Sequence, residues 1–190
     1  MKLALADYAS LDQCLWWYHE LQCPGFDTIL LKRLAEPDAL GTIGLSYGKL
    51  MERLLYIKLK HKRSPLLPTL LPLADRKLAA LDLTLTPPVA VIGDASSSMN
   101  VAIRTAVIMS SVVAALADAS LDFFNGSNFK PQFQPQNAEQ VLKLAVETKA
   151  SGCTSPAASL WRFYAEKKVV SVAWVLRRRV CDGSCEELRA

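Results

Sequence analysis

Hydrophobic residues in the first sixty positions recur at helical intervals. Leu11, Cys14, Leu15, Tyr18 and Leu21 follow one another at spacings of three or four, or side by side, which gathers them on one helical face. Pro24-Gly25 breaks the pattern. A short helix is expected from Thr28 to Ala35, ending before Pro37. Leu50, Leu54, Leu55, Ile57 and Leu59 resume the theme, with Lys49, Glu52, Arg53, Lys58 and Lys60 on the other faces. His61-Lys62-Arg63-Ser64-Pro65 reads as a basic connector. Pro68 and Pro72 extend it as irregular chain, and Leu73 to Leu81 is expected as one more short helix.

After Pro87-Pro88 the character changes. Val89-Ala90-Val91-Ile92 is a short apolar run, as in a strand buried on both faces of a parallel sheet. A polar loop, Gly93 to Ser98, precedes a helical pattern from about Met99 to Ala117 that is apolar on nearly every side. Leu121 to Phe124 predicts a second strand, ended by Asn125-Gly126. Phe129 to Phe133 predicts a short third one, at an edge because of Pro131. Asn137 can cap a helix whose core face is Val141, Leu142, Leu144, Ala145 and Val146. Ser151-Gly152-Cys153-Thr154 is a loop. Pro156 opens a helix running to about Lys167, and Val169 to Leu176 is a buried-type strand.

Apolar strands alternating with helices predict an α/β fold with a Rossmann-like, mostly parallel sheet, preceded by an α-helical segment. The expected division is a helical leader at 1–86, the α/β unit at 87–176 and a basic, polar tail at 177–190. Ligand sites in such sheets lie at the carboxyl ends of the strands, and the loop at Asp94 is at one such end.

Composition narrows the class. The chain has 190 residues, is 51% hydrophobic and 21% charged, and carries a net charge of +4, which describes a globular protein with a mild basic bias. Its five cysteines form no obvious disulfide framework. The start shows no signal-peptide pattern, so a cytoplasmic or nuclear setting is expected. The uncharged run from Thr105 to Ala117 is about a third too short to span a bilayer, and no membrane association is expected.

An enzyme is not expected. No Gly-x-Ser-x-Gly elbow, phosphate-binding loop or dinucleotide fingerprint occurs. Both histidines, His19 and His61, lie in the leader, far in sequence from the serines near Asp94. Cys181 and Cys185 are one pair where a structural zinc site needs four ligands.

The chemistry concentrates on one loop. Asp94, Ser96 and Ser98 offer a carboxylate and two hydroxyls directly after a buried strand. Such hard oxygen donors suit Mg²⁺ or Mn²⁺. In an extended loop, alternation would point 94, 96 and 98 the same way. The following helix turns its amino terminus to the same spot and favours an acidic group there. A metal held so could accept a partner's carboxylate.

Val-Ala-Val-Ile-Gly-Asp-Ala-Ser-Ser-Ser-Met at 89–99 resembles the first strand and metal-ion-dependent adhesion loop of von Willebrand factor A (vWA) domains. Ser151-Gly152-Cys153-Thr154-Ser155-Pro156-Ala157-Ala158 is similar to that family's threonine loop. The resemblance covers about 88–176. It implies Asp94, Ser96 and Ser98 as first-loop metal ligands and Thr154 as the second-loop ligand, direct or through water. It also implies a module that binds a protein partner, through an acidic residue.

The pattern departs from the family in two places. The family has an aspartate at the end of the fourth strand, where this chain has Arg177-Arg178-Arg179. Binding of Mg²⁺ is therefore expected to be weak or absent. Two further strand–helix units would complete a vWA sheet, so the domain reads as truncated, with an unpaired edge on its last strand.

A helical leader before such a domain is also similar in layout to the Ro autoantigen and its relatives. That layout implies RNA association as an alternative function; a truncated fragment with no function of its own is the other alternative. The basic clusters Lys58–Arg63 and Arg177–Arg179 are read as solvated, since no aromatic residue interleaves with either. Trp16-Trp17-Tyr18 with His19 is expected to pack inside the leader.

Overall fold

A computed structural model describes residues 1–82, 85–117, 119–155 and 157–167, and the backbone of 172–176. The chain is α/β. Helices come first: α1 (Lys2–Tyr8), α2 (Leu11–Trp16), α3 (Tyr18–Leu21), α4 (Phe26–Leu34), a 3₁₀ turn at Ala39–Thr42, α5 (Tyr47–Lys60) and α6 (Leu66–Ala79). Then follow β1 (Val89–Asp94), α7 (Asn100–Leu116), β2 (Ala119–Phe124), β3 (Asn128–Phe129), α8 (Ala138–Glu147), α9 (Ala158–Ala165) and β4 (Val172–Leu176).

The sheet order is β3-β2-β1-β4. β1 pairs in parallel with β2, Val89 opposite Ala119 through Asp94 opposite Phe124. It pairs in parallel with β4 on its other side, Val89 opposite Val172 through Gly93 opposite Leu176. The chain leaves β1 toward β2 and later returns to the opposite side. The carboxyl end of β1 is therefore the point where the strand order reverses, the usual place for a ligand crevice.

Strand periodicity divides the sheet faces. Val89, Val91, Leu121 and Phe123 join Ile103, Ala106 and Val107 of α7 in the main core. Ala90, Ile92 and Phe124 face the other way and pack with Phe163 of α9. On α9 the neighbouring Trp161 and Tyr164 stay largely exposed. One main core runs from Ala6 to Ala145, through the leader and the sheet alike. α7 buries the side that faces the sheet and α5, α6 and α8, while Val101, Thr105, Ala114 and Ala115 stay exposed. Tyr47 and Ser111 share a buried hydrogen bond of 2.8 Å between α5 and α7. The Asp75 carboxylate of α6 accepts from Ala138 N, the first residue of α8, at 2.7 Å.

Three elements differ from the sequence expectation. α6 starts at Leu66 and absorbs the stretch read as irregular. Pro65 stands at its amino-terminal cap and Pro68 in its first turn, where a backbone N–H has no helical partner to lose; Pro72 alone sits inside. β3 is only Asn128–Phe129, antiparallel to β2. Beyond it the Gln134 amide takes the place of a strand, donating to Leu121 O and accepting from Leu121 N, both at 3.0 Å. β1 extends to Asp94, so the carboxylate stands on the strand and not in the loop. The expected strand start at 169–171, the arginines at 177–179 and the tail cysteines lie outside the described residues.

Among the described residues, no helix is long and apolar enough to cross a membrane.

Candidate metal centre

Asp94 ends β1 with its side chain buried. Its Oδ1 accepts from Ser96 N at 2.9 Å and from Ser96 Oγ at 2.5 Å. Ser96 is buried with it. The loop then turns rather than continuing extended. Ser98 has a left-handed φ of 71° and is exposed, so 94, 96 and 98 do not alternate along one extended face. α7 begins two residues later, at Asn100.

The second loop is stitched to the first. Gly152 O accepts from Ser97 N at 3.0 Å and from Ser97 Oγ at 2.9 Å, and Ser151 N donates to Ala95 O at 2.8 Å. Asn125, just past β2, holds both neighbours: its side-chain amide donates to Ser151 O at 3.1 Å and its backbone carbonyl accepts from Ser155 N at 2.8 Å. Ala95 N donates to Phe124 O at 2.7 Å. Three segments distant in sequence thus meet at the carboxyl ends of β1 and β2. Thr154, partly buried, lies two residues beyond the stitch at Gly152.

The structure brings the buried Asp94 carboxylate and the Ser96 hydroxyl together; Ser98 and Thr154, the other donors expected from the sequence, lie on the two stitched loops. Among the described residues, no group of three or more His, Cys, Asp or Glu side chains converges as a metal site. Hydroxyl and carboxylate oxygens fit a small hard cation such as Mg²⁺ or Mn²⁺ and not zinc. Two neighbouring octahedral ligands at Mg²⁺ distances stand about 2.9 Å apart. The Asp94–Ser96 oxygens, at 2.5 Å, would open by a few tenths of an ångström while the hydroxyl proton turns away.

Nothing in the sequence marks Asn125 and Ser97 as the residues that join the two loops. Asn125 read as a turn residue, and its role as the peg between two loops depends on parallel strand pairing that no local pattern displays. Beside the second loop lies an open cavity of about 550 Å³, lined by Gly126, Asn128, Ser155, Trp161, Arg162 and Glu166 among others. The Arg162 guanidinium pairs with buried Asp122 of β2 and, through Nε at 2.9 Å, with Glu166.

The sequence matches no family model and no curated protein.

Proposed function

We propose that this chain is a vWA-like protein-interaction module whose ligand site is the crevice at the carboxyl end of β1. Asp94, Ser96, Ser98 and Thr154 are its metal ligands. The observation that carries the reading is the pair of hydrogen bonds from Ser97 to Gly152 O, which fastens the threonine loop to the aspartate loop. That junction brings together two segments chosen by their resemblance to vWA loops, at the place in the sheet where ligands bind.

When bound, the cation supplies an open coordination position for a partner's carboxylate. The chain's own residues do the rest. Asp94 provides the one negative charge. Ser96 N, donating to Oδ1, fixes the carboxylate orientation. The amino terminus of α7 favours an incoming acidic group. A single carboxylate binds a divalent cation weakly, so affinity in the millimolar range is expected.

Calorimetric titration with Mg²⁺ and with Mn²⁺ tests this. Asp94→Asn should abolish the heat, and Thr154→Val should weaken binding several-fold, both with the melting transition retained. A protein partner should be retained in Mg²⁺ and released by EDTA or by Asp94→Asn. The proposal fails if no cation binds at ten millimolar, or if Asp94→Asn binds as the native chain does.

A further inference from the structure

A second surface lies on the helical segment, away from the β1 crevice. On α5, Lys49, Arg53, Tyr56 and Lys60 follow at intervals of four, three and four. At 3.6 residues per turn they fall within an arc of roughly 60°. They form a stripe along one side of the helix.

The helices α2 and α3 lay aromatic rings against it. Trp16 sits beneath two cations, with Lys49 Nζ at 5.2 Å and the Arg53 guanidinium at 4.6 Å from its ring centre. His19 meets Tyr56 edge-on at 5.5 Å and stacks with Trp17 at 6.5 Å. Trp17 is 48% exposed, so the leader does not bury it as expected. The cations over Trp16 are thus Lys49 and Arg53; in the Lys58–Arg63 cluster His61 meets the buried Tyr18 edge-on at 5.8 Å.

Past Lys60 the stripe runs into the turn that carries His61, Lys62 and Arg63, on a cleft of about 560 Å³ that Asp27 and Ser64 also line. Acids also lie nearby: Asp75 and Glu139 line the neighbouring cleft with Lys58, Lys62 and Arg63. Glu52 pairs with Lys49 at 3.5 Å and Glu20 with His19 at 3.4 Å. Asp27 accepts from Tyr18 and Ser64. Lys60, Lys62 and Arg63 enter no ion pair among the described residues. Arg53 Nε is buried without a hydrogen-bond partner there.

We infer that this face binds single-stranded nucleic acid. Bases would stack on Trp17 and Tyr56, and phosphates would meet Arg53, Lys60, Lys62 and Arg63. Flat rings interleaved with cations are what such a strand requires, because every base offers a π-face and every linkage a charge. A membrane-surface helix sinks the apolar face opposite its cations into the lipid, and that face of α5, with Leu50, Leu54 and Ile57, is already buried in the core.

The test is fluorescence anisotropy of labelled twelve-nucleotide oligouridylate and oligothymidylate with the full chain in low salt. A duplex of equal length and anionic phospholipid vesicles serve as comparators. Binding should weaken with salt. Trp17→Ala should weaken it at least fivefold with the salt slope unchanged. Lys60→Ala with Lys62→Ala and Arg63→Ala should lower the slope by about two, at about 0.7 for each single-strand phosphate contact. Asp94→Asn should bind as the native chain does. Quenching of native tryptophan fluorescence by the oligonucleotide reports stacking without any variant, should Trp17→Ala fail to fold. The inference is overturned by absent binding at low salt, by tighter binding to duplex or vesicles, or by binding without quenching that Trp17→Ala leaves unchanged.

Discussion

Ser97 offers Gly152 two hydrogen bonds at once, from its backbone N at 3.0 Å and its Oγ at 2.9 Å, both to the same carbonyl oxygen. Gly152 presents that oxygen from a left-handed conformation, φ 76°. A side chain there would meet no serious obstacle, since the nearest atom to an added Cβ is the Asn125 amide nitrogen at 3.5 Å. The cost of a substitution is conformational. Gly152→Ala is expected to destabilise the chain by about 1–2 kcal/mol. Part of that should appear as loosening of the threonine loop. Thermal denaturation measures the first. Faster amide exchange at Ser97 and Ser151 would show the second, and an unchanged melt would mean the loop junction is not held through this carbonyl.

Gly93 is needed for a different reason. It lies on β1 beneath α7, and an added Cβ would stand 2.7 Å from Ala106 Cβ and 2.9 Å from the Phe123 ring. Neither neighbour is the end of a flexible chain. Gly93→Ala must push α7 off the sheet, at a cost of about 1–3 kcal/mol. A chain this size loses roughly 2–4 °C of melting temperature per kcal/mol, so a drop of several degrees is expected. Because Asp94 is the next residue, the same variant should also weaken any Mg²⁺ response. A melt within a degree of native would disprove the close packing.

These two glycines mark the boundary of what the sequence discloses. Val89 to Ile92 reads as a strand from its own residues, and so does the polar loop after it. The core face of α8 and its Asn137 cap, which accepts from Gln140 N at 2.9 Å, are equally legible. The start of α6 was not. A proline-rich stretch signals irregular chain, and Pro65 and Pro68 are tolerated only because they fall where helical N–H groups are idle. Nor was the turn at Ser98. Alternation is a property of extended chain, and a left-handed residue ends it. The docking of α5 and α6 on α7 and α8 left no local trace either. It rests on pairs such as Tyr47 with Ser111, 64 positions apart in the sequence.

Tyr18 makes stability depend on alkaline pH. Burial first, and then its hydrogen bond to Asp27 at 2.9 Å, push its phenol up to about 12 from the ordinary 10. Burial raises Tyr47 in the same direction. The neutral phenols are therefore favoured in the folded chain. Their contribution is complete below pH 10 and is lost as pH climbs toward 12, because the unfolded chain releases its protons first. Urea midpoints should fall between pH 10 and 11.5. Tyr18→Phe should start lower, having lost the Asp27 contact, and fall less steeply. Parallel curves for the two proteins would remove Tyr18 from the account.

Asp122 and Arg162 offer the sharpest stability test. The carboxylate is buried in the middle of β2, opposite Ile92, and the guanidinium reaches it from α9 with its side chain 18% exposed. Arg162→Met removes the countercharge and leaves the carboxylate in a dry sheet face beside Phe124 and Phe163. Removing one partner of a buried pair costs about 3–5 kcal/mol, and the mostly buried guanidinium places this variant near the lower end. Adding Asp122→Leu should recover most of the loss, since a well-packed apolar pair in place of a buried ion pair is commonly neutral or better. Glu166 also binds Arg162, yet its side chain is 51% exposed. Glu166→Gln should cost no more than about 1 kcal/mol, as exposed pairs do. The expected order of urea midpoints is native, then Glu166→Gln close behind, the double variant next and Arg162→Met lowest. If Arg162→Met and Glu166→Gln lose equal stability, the guanidinium serves the surface and not the sheet, and α9 is held instead by Phe163 and by the Asn128 amide donating to Ser159 O.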